Sequence, residues 1–325
     1  MRRLELLYLS RRDVEAVGLE MSQIVQVVEE ALREKGEGRV EMPPKPGVHP
    51  KGDAFIHAMP AFIPQLGSVG MKWVSGFPEN YRLGLPYISG LLILNDPDSG
   101  LPLAVMDCTW ITAMRTGAAT AVAAKYLARQ DSQTLGILGC GVQGRSNLEA
   151  LKVVFPGLRY VKAYDIYQAN AEKYAQEMTE KLSVEVKVVI SAEEAVRDAD
   201  LVVTAGPILK HPSPVIEDEW FKPGGFACPV DFDSYWKPSA LHGADKFCTD
   251  DTEQLFYYRK EGYFQDIPQV YADLGEIVAG KKPGRENDKE RIISMNLGLA
   301  LEDMAVGIEI YRRAKSQGIG RMLPL

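Results

Sequence analysis

Gly139-Cys140-Gly141-Val142-Gln143-Gly144 stands directly after the apolar stretch Thr134–Leu138 and directly before a run with helical spacing that reaches Val153. Glycines at this spacing between a strand and a helix make a phosphate cradle. The first allows a tight turn, the second lets backbone approach a pyrophosphate, and the third lets helix and strand pack closely. The N–H groups of the first helical turn, with their partial positive charge, then face the phosphates. Asp165, 21 residues beyond Gly144, ends the second strand, where a carboxylate accepts hydrogen bonds from ribose hydroxyls. Residues 165–168 offer no cation for a 2′-phosphate, so NAD is expected in preference to NADP. Thr116, Thr204 and Ala205 join Gly139, Gly141, Val142, Gln143, Gly144 and Asp165 as expected cofactor contacts. The alternative is a doubly wound fold with a similar turn and another ligand. Cys140 reads as a small filler of the loop.

After Asp131 strands and helices alternate: strands over 134–138, 160–164, 184–190 and 201–205, a fifth over 226–230, and helices between them. That order predicts a Rossmann-type doubly wound parallel sheet. The preceding half differs. A strand over residues 3–9 leads to a helix opened by Ser10 and Asp13, then a second helix over 21–35. A proline-rich loop over 36–52 separates these from β-rich segments between 54 and 107, whose last turn, residues 95–100, has hairpin chemistry. An antiparallel sheet in an α+β domain is expected there. An alanine-rich helix over 109–129 and a last helix over 297–315 complete the set. The expected division is a substrate-binding and dimerisation domain, residues 1–125 with 297–325, and a nucleotide domain, residues 126–296.

The chain has 325 residues, 46% hydrophobic and 25% charged, enough for two cores. Its net charge of -7 and the lack of any Lys/Arg block argue against a nucleic-acid partner. Four widely spaced cysteines suggest neither a zinc knuckle nor a disulfide scaffold, and His49, His211 and His242 have no metal spacing, so no metal is expected. Glu5 and the charges that follow it break the N-terminal apolar run, which is too short and too charged for a signal peptide, so none is expected. No stretch reaches the roughly 18 apolar residues of a spanning helix. A cytoplasmic protein with no membrane partner is expected.

Lys72-Trp73-Val74, the hairpin 95–102, the stretch from Thr112 through Arg115 to Thr120, the glycine loop and the stretch from Asn296 to Asp303 occur together and in order. On these motifs the chain resembles the ornithine cyclodeaminase/mu-crystallin family along essentially its whole length. The resemblance implies a homodimer and hydride transfer at a carbon bearing nitrogen, through an imine. It also implies roles for residues. Arg115 matches the family's substrate-carboxylate clamp, a task suited to the planar guanidinium. The other reading is a surface arginine in an intrahelical ion pair. Lys72 matches the active-site lysine that donates or accepts a proton, against a strand lysine facing solvent. Lys45 falls where a second carboxylate contact occurs. Asp233 matches the aspartate that acts on the substrate nitrogen, with Asp231 as second choice, because residues 230–234 depart from the usual glycine-bearing version.

His57 stands three residues before Pro60, where ornithine cyclodeaminases carry a glutamate, and Pro86 and Tyr87 are bulkier than the residues of those enzymes. An imidazole does not replace a permanent carboxylate. Both changes argue for another substrate, with His57 and Tyr87 lining its site, although His57 also reads as an ordinary hydrogen-bonded strand histidine. The first expectation is an NAD(H)-dependent amino-acid dehydrogenase or imino-acid (ketimine) reductase acting at Cα. The second is an ornithine or lysine cyclodeaminase, an ammonia lyase with internally recycled NAD+. The third is a non-catalytic NAD(P)H or small-ligand binder.

Overall fold

A computed structural model describes residues 4–325, and the chain divides into two compact units, residues up to Arg115 with Leu299–Leu325, and Thr116–Gly298. The divisions expected at 125/126 and 296/297 stand in the structure at 115/116, inside the helix Thr109–Leu127, and at 298/299.

In the first unit seven strands form one sheet in the order Arg321–Pro324, Glu5–Leu9, Pro102–Asp107, Ile88–Asn95, Ser68–Gly76, Phe55–Ile63 and Gly47–Val48. All pairs are antiparallel except Glu5–Leu9 with Pro102–Asp107, which run parallel, so the expected antiparallel sheet is mixed at this one place. Arg3, placed in the first strand from sequence, lies outside the described residues. Ser10 and Asp13 form the expected reciprocal capping box.

Side chains alternate across the sheet, as the two-residue period of a strand requires. Met59, Ala61, Lys72, Val74, Leu92 and Leu94 point to the buried face, which the helix Ala300–Gln317 covers. Trp73, Leu91 and Tyr8 point the other way and are exposed, with Met71, Ile93 and Val105 half-buried beside them. That outer face is apolar.

The second unit is an eight-stranded, wholly parallel sheet in the order Ala272–Asp273, Lys246–Thr249, Ile292–Met295, Phe226–Pro229, Leu201–Thr204, Thr134–Leu138, Tyr160–Tyr164 and Glu185–Val188. The chain order reverses at Thr134–Leu138. This is the switch point of a Rossmann sheet, where ligands bind outside the carboxyl ends of the strands. Among the described residues no helix is long and apolar enough to cross a membrane.

Candidate active site

The glycine loop has the backbone its residue types allow. Gly139 takes φ +101, a conformation that disfavours any side chain, and a Cβ there would lie 2.5 Å from the Ala205 carbonyl oxygen. A Cβ on Gly144 would lie 2.4 Å from the Gly139 carbonyl oxygen, so the helix Val142–Val154 sits as close to the loop as glycine permits. Among the described residues nothing lies within 4 Å of a Cβ built on Gly141 and no side chain caps this helix, which leaves its first N–H groups facing an open cradle. Val142 is exposed and Gln143 half-buried at the same end. This arrangement fits a pyrophosphate.

Asp165 reaches back to the loop: Oδ2 accepts from the Cys140 N–H at 2.9 Å, and Oδ1 from the Tyr167 N–H at 2.9 Å. Its carboxylate shapes the cradle. Arg145, to which the sequence reading gave no role, donates to the carbonyls of Cys140 and Gly141 and pairs with Glu177 at 2.7 Å, so its guanidinium is tied into the loop's own structure. Burial pushes the Cys140 thiol up to about 12, in keeping with a filler.

At the neighbouring strand ends Thr204 turns its hydroxyl to Asp231 Oδ1 at 2.6 Å, while the Gly206 N–H donates to Oδ2 at 2.8 Å. The Ala205 N–H donates to the Leu138 carbonyl at 2.7 Å, and the Thr116 carbonyl accepts from the Thr120 hydroxyl. Asp231 is fully buried, and this burial pushes its carboxyl up to about 7 against the pull of Thr204 and Gly206. Asp233 faces a different environment. It lines a cavity of about 240 Å³ with Lys210, Trp236, Tyr263 and Phe264, and burial raises its carboxyl while the Phe264 N–H opposes that shift.

Phe232 between these acids holds φ +61, unusual for a side chain of its size, and its ring is wedged against Tyr258, Tyr263 and Phe264. The turn sends one carboxylate into the fold and the other to the cavity.

In the first unit Lys72 is wholly buried, with Nζ 2.6 Å from Asp303 Oδ2 and 3.4 Å from Thr112 Oγ1. Burial, then the neighbouring Arg115 charge, lowers the Lys72 ammonium, and Asp303 opposes both. Arg115 donates from Nε to Asp303 Oδ1 at 3.1 Å and from Nη1 to Glu302 Oε2 at 2.7 Å. Its alternative reading as a surface arginine does not hold, since 5% of it is exposed. Nor does Lys72 face solvent. Thr112 and Arg115, three apart on one helix, reach this cluster from the same face.

Lys45 is also buried, and its charge, after burial itself, holds the His57 imidazole down at about 3. His57 is therefore neutral at ordinary pH. Its ring stacks on Phe55 with centroids 4.3 Å apart, and Gly47 fits against it where a Cβ would lie 2.3 Å from the ring. Tyr87 is half-buried just before Ile88–Asn95.

A family model, ornithine cyclodeaminase/mu-crystallin family, matches residues 5–318. The chain belongs to this family. It is 38% identical to alanine dehydrogenase of Archaeoglobus fulgidus over 98% of both chains. It is 36% identical to the nodulation efficiency protein NfeD of Rhizobium meliloti, over 97% of this chain and 98% of that one. Among solved structures, Thermococcus litoralis Delta(1)-pyrroline-2-carboxylate reductase in complex with NADH and L-proline is similar, with a TM-score of 0.89 and 36% identity, covering 97% of this chain and 99% of that chain.

Sequence reasoning quoted Glu302 and Asp303 within a family motif but assigned them no role. The available signal was two adjacent acids inside the apolar run from Leu297 to Val306, where carboxylates are rare unless paired. Both are fully buried. Burial raises the Glu302 carboxyl, and Arg115 opposes the shift. Glu302 Oε2 also accepts from the Leu299 N–H at 3.2 Å at the start of the helix, whereas Oε1 has no hydrogen-bond partner among the described residues.

Proposed function

We propose that this protein is an NAD(H)-dependent oxidoreductase that interconverts a small amino acid and its imino or keto acid at Cα. The observation that carries the reading is the buried cationic cluster of the first unit, in a chain whose second unit has a phosphate loop with every steric feature that the dinucleotide requires. Bound on that loop, the nicotinamide gives or takes the hydride at the carbon bearing nitrogen. Gly139, Gly141 and Gly144 with the N–H groups at Val142 and Gln143 receive the pyrophosphate, and Asp165 receives the adenosine ribose as well as shaping the loop. Thr116, Thr204 and Ala205 complete the cofactor contacts.

Arg115 and Lys45 hold the substrate carboxylate. Lys72 and Asp233 give and take protons around its nitrogen, and both have pKa values displaced towards the working range, Lys72 downwards and Asp233 upwards. Lys72 and Arg115 pair with Glu302 and Asp303, and Lys45 is the further cation that meets the substrate carboxylate. His57, neutral, and Tyr87 border the side-chain end, and no carboxylate replaces the glutamate that ornithine cyclodeaminases have at position 57. An uncharged side chain fits best.

We further propose a cytoplasmic homodimer joined through the outer apolar face that carries Trp73, Leu91 and Tyr8, because large apolar side chains exposed together on one face mark a protein contact. NADH absorbance followed with pyruvate plus ammonia, and separately with Delta(1)-pyrroline-2-carboxylate, tests the reaction. Stoichiometric oxidation of NADH is the expected outcome. Proline formation from ornithine without net NADH change would refute the reading in favour of the cyclodeaminase, and NADH binding with no turnover on either substrate would favour the binder.

A further inference from the structure

The helix Ala300–Gln317 begins at the cationic cluster, and its first turn brings two carboxylates there. Gly298 at φ +78 ends the preceding segment, and the helix then starts with Glu302 capping the Leu299 N–H. A carboxylate anchored to its own helix start has little freedom. Asp303, next along, spans the two cations: Oδ2 contacts Lys72 Nζ and Oδ1 contacts Arg115 Nε. One planar group thereby sets the separation between the lysine and the guanidinium, and Glu302 holds Arg115 from Nη1.

We propose that Asp303, supported by Glu302, is the positioning residue of the substrate site, holding Lys72 as an ammonium and Arg115 in the orientation that meets the carboxylate. This rests on the reading that Lys72 and Arg115 meet the substrate. The groups facing Lys72 are Arg115 and Thr112 on the helix Thr109–Leu127, Cys108 just before it, Asp303 on the closing helix and His57 on the adjoining strand. Arg115 favours the neutral amine, and so does burial. His57 is uncharged, and the Cys108 thiol, pushed up to about 11, stays protonated at ordinary pH. Asp303, in direct contact, is what opposes them. Without its charge the ammonium releases its proton at lower pH.

The test uses the full-length protein with Delta(1)-pyrroline-2-carboxylate and NADH. Asp303→Asn is expected to lower kcat/KM at least about 100-fold, the scale of a lost general acid, with NADH affinity unchanged. The alkaline limb of its pH–rate profile is expected to move to lower pH by about one unit or more. Asp303→Glu keeps the charge but displaces it by one methylene, so the limb is expected to stay in place while KM rises about tenfold, a loss of binding geometry rather than of acid strength. A purely structural role would lower stability and leave the limb where it was. Wild-type kcat/KM and limb in Asp303→Asn, with Lys72→Ala and Arg115→Ala inactive, would overturn the proposal. If Asp303→Asn does not fold, Asp303→Glu decides, and an unchanged KM overturns it. Activity retained in both Lys72→Ala and Arg115→Ala would instead sink the site reading itself, and the proposal with it.

Discussion

Asp231→Asn should make the protein more stable in alkaline than in acidic solution relative to the wild type. The buried carboxyl sits at about 7 instead of its ordinary 3.8. Because the folded value lies above the unfolded one, the stability this group contributes is present below 3.8 and is lost as pH rises through 7. At about 1.4 kcal/mol per pH unit, the whole interval is worth roughly 4 kcal/mol. Between about pH 5 and about pH 8 the wild type should lose roughly 3 kcal/mol relative to the variant.

Asparagine suits the site because it reproduces the neutral acid: its Nδ2 donates to Thr204 Oγ1 while its oxygen accepts from the Gly206 N–H. The difference between variant and wild type is the quantity to measure, because His57 works in the opposite sense. Its imidazole is held at about 3 instead of 6.5, so its contribution is present above 6.5 and is lost as pH falls towards 3. Subtraction removes it. Urea unfolding followed by tryptophan fluorescence, to which Trp236 contributes from beside Thr204, supplies the free energies at each pH. A difference that stays constant across this range, or that favours the wild type at the alkaline end, would refute the assignment of a raised pKa to Asp231.

Arg115→Ala leaves Glu302 buried without its cation, which should cost about 3–5 kcal/mol of stability. It should also abolish turnover while NADH affinity, measured by fluorescence titration, stays within about twofold of the wild type; a large loss of NADH affinity would refute the assignment to substrate. Gly144→Ala pushes a Cβ against the Gly139 carbonyl, so calorimetry should register a loss of about 1–3 kcal/mol together with much weaker NADH binding. Wild-type NADH affinity in that variant would count against the loop as the cofactor cradle. All four cysteines are buried, and the thiols of Cys108, Cys140 and Cys248 are pushed up to about 11, 12 and 12, so a thiol reagent at neutral pH should react slowly with the native protein and with four thiols after denaturation. Rapid native labelling would contradict this packing.

The phosphate loop was legible in the sequence because its chemistry is local. A strand, three glycines and a helix within a few residues dictate the cradle, since each glycine answers a steric demand made by its near neighbours or by the next strand end. The alternation of strand and helix after Asp131 likewise followed from periodicity. The short strands Lys246–Thr249, Ile292–Met295 and Arg321–Pro324 did not: the first two are buried on both faces and show no alternation, and the last is a four-residue edge strand whose partner, Glu5–Leu9, lies at the other end of the chain.

Residue types and the family motifs marked Lys72 and Arg115, but only the tertiary structure decided what surrounds them. Asp303 lies 231 positions from Lys72 and 188 from Arg115 along the chain, and no local pattern couples residues so far apart. Folding brings the last helix across the inner face of the sheet, and there burial makes an unpaired charge costly. Two cations and two carboxylates are consequently drawn into one cluster. Which groups titrate near neutrality, Asp231 among them, was settled in the same way, by how completely the folded chain removes each from water.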